Sequence, residues 1–362
     1  MRIGLFSPHY AYNYGAVLQA FALKTFLRER GYDAVILNRR PEYHCAIPSI
    51  SGRVARKIEE FAKSKSFGIF ERRFLQPQTS PIIYQRDWSK FESFNLDAVI
   101  VGSDQVWRDD YCFTSFGYNL FLDFIHDRNI KKISYAPSLG KESWNAEQKV
   151  EEKVKELIKD FTHISVREKT SIDILKNKFG VNSELVLDPT MLLTQNDYRK
   201  YFMIPTLKND YISAYILDYT PDIQSFLSHL SKLENLKICG TLVKTPKTKI
   251  SKLWERFHPM TPVTKWVSNI ANARYVITNS FHGMVFSIIF RKQFVVLMNS
   301  ERGAARFKSL LEMFGLENRL LDAPSEKAGV ILKTPIDYTA VNMQLDLWRN
   351  KSINYLINSL TK

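Results

Sequence analysis

The sequence predicts an α/β protein of two domains, each a parallel sheet with helices on both faces. Three observations carry that prediction. The chain has 362 residues, more than one hydrophobic core usually supports, so two domains of roughly 150 to 200 residues each are expected. Short runs rich in Val, Ile and Leu alternate with longer stretches of helical periodicity. After Asp188, Pro189 and Thr190 the alternation starts again. The boundaries expected are 1–190, 191–340 and a terminal helix over 341–362.

In the first half the expected strands are Ile3 to Ser7, Ala34 to Asn38, Ala98 to Gly102, Lys132 to Ala136, Ile164 to Val166 and Leu185 to Leu187. Between them, helical periodicity marks Ala16 to Glu29, Ala146 to Lys159 and Ser171 to Phe179. The second half offers strands at Tyr211 to Leu217, Leu236 to Cys239 and Tyr275 to Thr278, with a helix near Asp222 to Leu233. Pro221 and Pro262 sit where helices would begin, a place that tolerates proline. Gly315 follows a helix over Phe307 to Phe314 as a left-handed cap, and Met343 to Leu360 reads as an amphipathic terminal helix.

Composition narrows the class. Hydrophobic residues make up 45%, with 24 Phe and 17 Tyr, enough for two cores and against disorder. Cys45, Cys112 and Cys239 are too widely spaced for a disulfide framework or a zinc site, so a reducing compartment is expected. The start, Met1 to Tyr10, lacks the pattern of a signal peptide, and the longest apolar stretch, Met284 to Phe290, is far below the roughly 18 residues a membrane helix needs. A cytoplasmic protein, soluble or on a membrane surface, is expected. The excess of 51 Lys and Arg over 37 Asp and Glu, a formal charge of +14, favours anionic partners. Without a zinc finger or aromatic nucleic-acid signature, nucleic acid is not expected.

In open parallel sheets, ligands bind beyond the carboxyl ends of strands, and that rule selects four segments. Asn13, Tyr14, Gly15 and Gln19 open a helix after the first strand; either its free N–H groups hold an anion or Asn13 simply caps it. Ser103, Asp104, Gln105 and Trp107 follow an apolar strand and could grip sugar hydroxyls, with Asp104 as a base and Trp107 as a ring platform; alternatively Trp107 is core. Arg167 could hold a carboxylate or phosphate in a two-point contact, or pair with Glu168 or another acid on the surface. Ser280, Phe281, His282 and Gly283 open the apolar helix from Met284 to Phe290, which must be buried and would place His282 at the bottom of a cleft.

Taken in order, NYGAVLQA at 13–20, VGSDQVW at 101–107, SYAPSLG at 134–140, SVREK at 165–169, LDPT at 187–190, NSFHGMVFSIIF at 279–290 and RFKSLLEMFGLENR at 306–319 resemble the polysaccharide pyruvyl transferase family over nearly the whole chain. The resemblance implies two Rossmann-like domains facing across a cleft, as in glycosyltransferases of the B type. It also implies phosphoenolpyruvate as donor, and a pyruvate ketal on a sugar of a bacterial surface polysaccharide such as a capsule. The acceptor implied is a lipid-linked or oligosaccharide sugar, taken by the first domain. Family members often carry Arg two positions before the histidine; this chain has Ser280 there, and Arg302 or Arg306 is expected to supply the charge. Arg167 and the start of the first helix are then expected to hold the donor's anionic groups, with His282 as the acid for phosphate departure. No cofactor or metal is expected, since basic side chains can neutralise the donor.

The segment from Arg53 to Arg73 interleaves seven basic residues with Phe61, Phe67, Ile69 and Phe70 among others, and is expected to bind anionic lipid on the inner face of a membrane. The competing reading is a helix packed on the protein by its apolar stripe. Two other functions share the implied architecture: a nucleotide-sugar-dependent glycosyltransferase and a non-catalytic sugar- or anion-binding protein.

Overall fold

The computed structural model describes residues 1–7, 9, 13–40, 66–114, 116–207, 210–244, 260–298 and 303–361. The chain divides into two compact units. The first holds the described residues up to 40, Glu71–Leu193 and those from Gln344 onward; the second holds residues 66–70 and Thr194–Met343.

In the first unit β1 (Arg2–Phe6), β2 (Asp33–Ile36), β3 (Ala98–Val101) and β4 (Lys131–Ser134) form a parallel sheet in the order β2-β1-β3-β4. All four residues of β3 are buried, as a sheet covered on both faces requires. Two short parallel strands, β5 (Ser165–Val166) and β6 (Glu184–Leu185), continue this layer, since the Ser134 N–H donates to His163 O. Helix α1 (Tyr14–Arg28) is buried from Tyr14 to Leu27. By contrast α2 (Gln148–Lys159) buries only Val150, Val154, Leu157 and Ile158, the one-sided stripe of a covering helix. The helix expected over Ser171 to Phe179 consists of α3 (Lys169–Ile174) followed by a π-helical turn, Leu175–Phe179.

The second unit carries a five-stranded parallel sheet in the order β11-β10-β9-β7-β8, with β7 at Tyr211–Tyr219, β8 at Lys237–Lys244, β9 at Tyr275–Thr278, β10 at Gln293–Leu297 and β11 at Leu320–Leu321. Helix α4 (Pro221–Glu234) starts on proline behind a Thr220 cap, α5 spans Val263–Ala271, and every residue of α6 (Phe281–Ile289) is buried. Helix α7 (Ala305–Met313) is followed by Gly315 at φ 63°. The terminal helix α8 (Tyr338–Thr361) buries Val341, Leu345, Leu356 and Leu360, but Met343 and Leu347 are exposed and Ser352 is buried, so it lacks the clean apolar face of the amphipathic helix expected. From Gln344 onward it belongs to the first unit.

In each sheet the chain runs to one side and then returns to the other, so the order reverses between β1 and β3 and again between β7 and β9. Crevices for ligands open at the carboxyl ends of such strand pairs. Both units are thus Rossmann-like halves; three of the four segments selected by sequence follow β1, β3 and β9, and the fourth, with Arg167, follows β5.

Most of the expected lipid-binding segment, residues 53–65, lies outside the described residues. The part that is described corrects the expectation for two aromatics: Phe67 and Phe70 are 0% and 2% exposed, and Phe70 meets Phe202 edge to face. Their apolar surface is consumed by protein packing, leaving Ile69 as the exposed apolar side chain. Among the described residues no helix is long and apolar enough to cross a membrane.

Candidate functional site

Five of the quoted segments meet at the carboxyl edge of the first sheet, around Asp188. Gln19 Nε2 donates to Asp188 Oδ2 at 2.6 Å, Arg167 Nη1 donates to the same oxygen at 2.8 Å, and the Ser103 hydroxyl lies 3.2 Å from it. Oδ1 accepts from the Thr190 N–H at 3.0 Å and from its hydroxyl at 2.6 Å. Beside it, Glu168 Oε1 accepts from the Ser138 and Ser171 hydroxyls at 2.7 and 2.6 Å and from the Leu139 N–H at 3.0 Å. Arg167 therefore has Asp188 at 2.8 Å, Glu168 at 3.9 Å and Asp104 at 4.0 Å. Three carboxylates surround one guanidinium.

Of these acids only Asp104 reaches the surface: its side chain is 21% exposed, against 2% for Glu168 and 0% for Asp188. The backbone presents it at a cost. Asp104 lies at φ 79° and Ala136, on the adjoining strand end, at φ 56°; such left-handed positions cost non-glycine residues on the order of 1–3 kcal/mol each and collect at functional sites. The conformation is held because Asp104 O accepts from the Ser138 N–H at 2.8 Å and Asp104 Oδ1 accepts from the Gln105 N–H at 2.9 Å. Gln105 is also half-buried, with its Oε1 accepting from Arg108.

Several sequence expectations change here. Trp107 is 1% exposed, stacks on Phe121 and donates its indole N–H to Leu120 O; it is core, and the reading of its ring as a sugar platform is corrected. Gln19 and Ser103 are 1% and 0% exposed, and their polar atoms are held inside the edge rather than offered outward. Tyr14 is equally buried. Asn13 is a helix cap: its Oδ1 accepts from the Gly15 and Ala16 N–H groups at 2.8 and 3.4 Å. Arg167, whose side chain is 1% exposed, is paired with the buried Asp188, where the alternative reading expects an ion pair with Glu168 or another acid on the surface.

At the second sheet, β9 ends in Thr278, whose hydroxyl donates to Tyr215 O at 2.7 Å and accepts from the Ser280 N–H at 3.0 Å. Asn279 Oδ1 accepts from the Leu217 N–H at 2.7 Å, tying the ends of β7 and β9 together. This pins the start of α6, where Ser280 precedes the helix without any side-chain bond to it. Phe281 stands edge-on to the His282 imidazole, centroids 5.4 Å apart, and the Arg306 guanidinium of α7 lies 5.6 Å from the Phe281 centroid. The structure thus groups Ser280, Phe281, His282 and Arg306; Arg302 lies outside the described residues. Gly283 also has a packing role. A Cβ there would sit 2.1 Å from Thr278 Oγ1, so the missing side chain is what allows α6 to pack against β9.

Sequence reasoning missed Asp188, Glu168 and His9. Asp188 follows the apolar run Leu185 to Leu187, so the strand-end rule that selected the other segments also reaches it. Glu168 is legible only through its serine partners. His9 lies beyond β1, fully buried, its Nδ1 donating to Ser7 O at 2.9 Å; burial lowers its pKa from 6.5 to about 4, against the opposing hydrogen bond to Ser7. It is a neutral imidazole at neutral pH. Among the described residues no group of His, Cys, Asp and Glu is arranged to hold a metal ion.

Known proteins place this geometry. In solved structures, the Staphylococcus aureus TarM G117R mutant, in complex with fondaparinux, alpha-GlcNAc-glycerol and UDP, aligns with TM-score 0.53 at 10% identity, covering 100% of both chains. Staphylococcus aureus MnaA with UDP aligns at 0.52 and 11%, covering 100% of this chain and 98% of that one. The UDP-GlcNAc 2-epimerase of Methanocaldococcus jannaschii aligns at 0.52 and 9%, covering 96% and 99%. At such identities the likeness establishes the fold class, glycosyltransferase-B-like. In sequence, Bacillus subtilis (strain 168) general stress protein 30 is 25% identical over 230 residues, 59% of this chain and 63% of that relative. The pattern of one family matches residues 13–301, a span containing the acid-and-arginine edge of the first sheet and the histidine-bearing start of α6, and by that match the chain belongs to the polysaccharide pyruvyl transferase family.

Proposed function

We propose that the protein transfers the pyruvyl group of phosphoenolpyruvate to two hydroxyls of one sugar in a surface polysaccharide, releasing phosphate and closing a cyclic ketal. The observation that carries this reading is the convergence of the family's segments on the two strand-order reversals, each with a different chemistry. The carboxylate-rich edge of the first sheet suits an acceptor. Asp104, the accessible acid, takes the proton from an attacking hydroxyl. The start of α6 suits an anionic donor: helix N–H groups, His282 and the Arg306 guanidinium favour carboxylate and phosphate.

The protons balance. One is added to the donor's methylene carbon, making the central carbon electrophilic; the first hydroxyl adds there and loses its proton. Phosphate leaves carrying a proton, given by His282, and the second hydroxyl closes the ring as its own proton is lost. Two protons leave the sugar, one ends on the new methyl group and one on phosphate. Arg167 acts on this chemistry through the edge it holds together, since its Nη1 bonds Asp188 while Nε and Nη2 face Glu168 and Asp104. No cofactor enters the scheme.

The test is incubation with phosphoenolpyruvate and a panel of lipid-linked sugars, following phosphate release and the mass of an added pyruvyl ketal. The expected result is acceptor-dependent phosphate release with that mass gain. Nucleotide release from a UDP-sugar, with no consumption of phosphoenolpyruvate, would overturn the reading in favour of a glycosyltransferase.

A further inference from the structure

We infer that Asp188 is the positioning residue of the first sheet's edge, and that the terminal helix α8 holds it in place. The role in catalysis rests on the function proposed above; the placement does not. Asp188 is 0% exposed and cannot touch a substrate, so it acts through its partners. Its Oδ2 fixes the Gln19 amide and the Arg167 fork at 2.6 and 2.8 Å. Arg167 Nη1 in turn lies 3.4 Å from the hydroxyl of Ser103, the residue that precedes Asp104.

The segment carrying Asp188 is pinned on both sides by α8. The Leu187 N–H donates to Ser352 Oγ at 2.9 Å, and Arg349 Nε donates to Met191 O at 2.9 Å. Tyr355 donates its hydroxyl to Ser134 O at 2.9 Å, so the same helix also grips the end of β4. The buried Tyr135 phenol, next in the chain, stands near both Ser352 and Asp188. Helix α8 begins at Tyr338, beyond the 13–301 span of the family match, yet three of its side chains hold the backbone around the site.

The charge arrangement says what losing Asp188 would do. Arg167 would keep two acids in reach, Glu168 at 3.9 Å and Asp104 at 4.0 Å. Glu168 is fixed by the serine hydroxyls and the backbone N–H on its Oε1, with Oε2 facing Arg167 Nε, while Asp104, the more exposed acid, has the greater freedom to turn toward the arginine. In Asp188→Asn, Arg167 therefore shifts toward Glu168 and Asp104, which moves the guanidinium and draws Asp104 away from the acceptor. A buried ion pair broken on one side also destabilises the fold, which is why the test needs more than activity.

The experiment compares full-length wild type, Asp188→Asn and Ser352→Ala. Arginine side-chain NMR, with the Arg167 resonance assigned by its loss in Arg167→Lys, reads the placement directly. Steady-state kinetics with phosphoenolpyruvate reads its consequence. In Asp188→Asn the Arg167 resonance should shift and exchange faster, and kcat should fall roughly 100-fold, the scale of a 1 Å misplacement, with KM for phosphoenolpyruvate within about twofold because the donor is held elsewhere. Ser352→Ala should move both readouts in the same direction, by about tenfold in kcat. If Asp188→Asn does not fold, Ser352→Ala decides alone: an unchanged resonance and kcat overturn the inference. A folded Asp188→Asn with wild-type kcat overturns it too. Should wild type consume no phosphoenolpyruvate with any acceptor, the proposed reaction fails, while an unmoved Arg167 resonance in Asp188→Asn is what would refute the placement.

Discussion

The two strand-order reversals share a topology and differ in charge. At the first, three carboxylates enclose Arg167, and two of the three are buried. At the second, a histidine and Arg306 gather around the start of a helix buried on every side. The same backbone solution thus carries opposite electrostatics, and on the proposed function that difference assigns a different reactant to each edge. In that proposal a cluster with more acids than bases would repel phosphoenolpyruvate and accept hydroxyl protons, and a helix start flanked by an arginine would attract the anion.

The largest effects should come from exchanging these characters. Asp104→Asn and His282→Ala are each expected to lower turnover by about 10²- to 10⁴-fold, the range for losing a positioned acid or base. The arginines should then separate the edges. Arg306→Ala is expected to raise KM for phosphoenolpyruvate by about 10- to 100-fold, the value of roughly 1.5–3 kcal/mol for hydrogen bonds to charged groups. Arg167→Lys, which keeps the charge and loses the fork, should lower kcat and leave that KM within about twofold. Steady-state kinetics over both substrates checks this. Equal KM effects from the two arginines would break the comparison.

A second contrast lies in His9. Its folded pKa, about 4, is below the ordinary 6.5 because burial disfavours the charged ring. The unfolded chain therefore binds the extra proton between those values, so stability is full above pH 6.5 and is lost as pH falls toward 4. The expected loss is about 3 kcal/mol at 1.36 kcal/mol per unit. Denaturant unfolding at several pH values should show His9→Gln losing that part of the pH dependence.

How much of this was legible in sequence depends on distance along the chain. The strand ends were, because short apolar runs followed by polar residues mark them locally; so was the burial of α6, which has no polar face. Asp188 as a hub was not, since its partners Gln19 and Ser103 lie 169 and 85 positions away. Trp107 is a turn residue whose ring could face solvent or core, and only the packing of Phe121 and Phe161 against it decides. The pinning of residues 187–191 by α8 also escaped, because helical periodicity names a buried face without naming what covers it.

Gly283 tests the packing of the second edge. Because a Cβ would approach Thr278 Oγ1 to 2.1 Å and Thr278 Cβ to 2.8 Å, Gly283→Ala must push α6 off β9. The expected cost is about 1–3 kcal/mol, as for other overpacked cores, seen as a lower Tm. A wild-type Tm would mean that α6 can shift freely, and its use as a fixed anion site would then lose support.

The smallest effect compares the helix starts themselves. Both α1 and α6 begin behind an extended residue with a hydrogen-bonding side chain, yet Asn13 accepts two N–H groups of its helix and Ser280 accepts none. Asn13→Ala should therefore cost about 1 kcal/mol, the usual value of a lost cap, while Ser280→Ala should leave stability unchanged within about 0.5 kcal/mol. The asymmetry has a functional reading. The capped start has its first N–H groups already satisfied and offers an anion little, whereas at α6 no side chain of the preceding residue competes for them. Phosphoenolpyruvate should accordingly raise the Tm of wild type and of Asn13→Ala by the same increment, because the donor does not use α1. A smaller increment in Asn13→Ala would show that the donor reaches the first sheet's edge, and the assignment of the two reactants to the two edges would have to be exchanged.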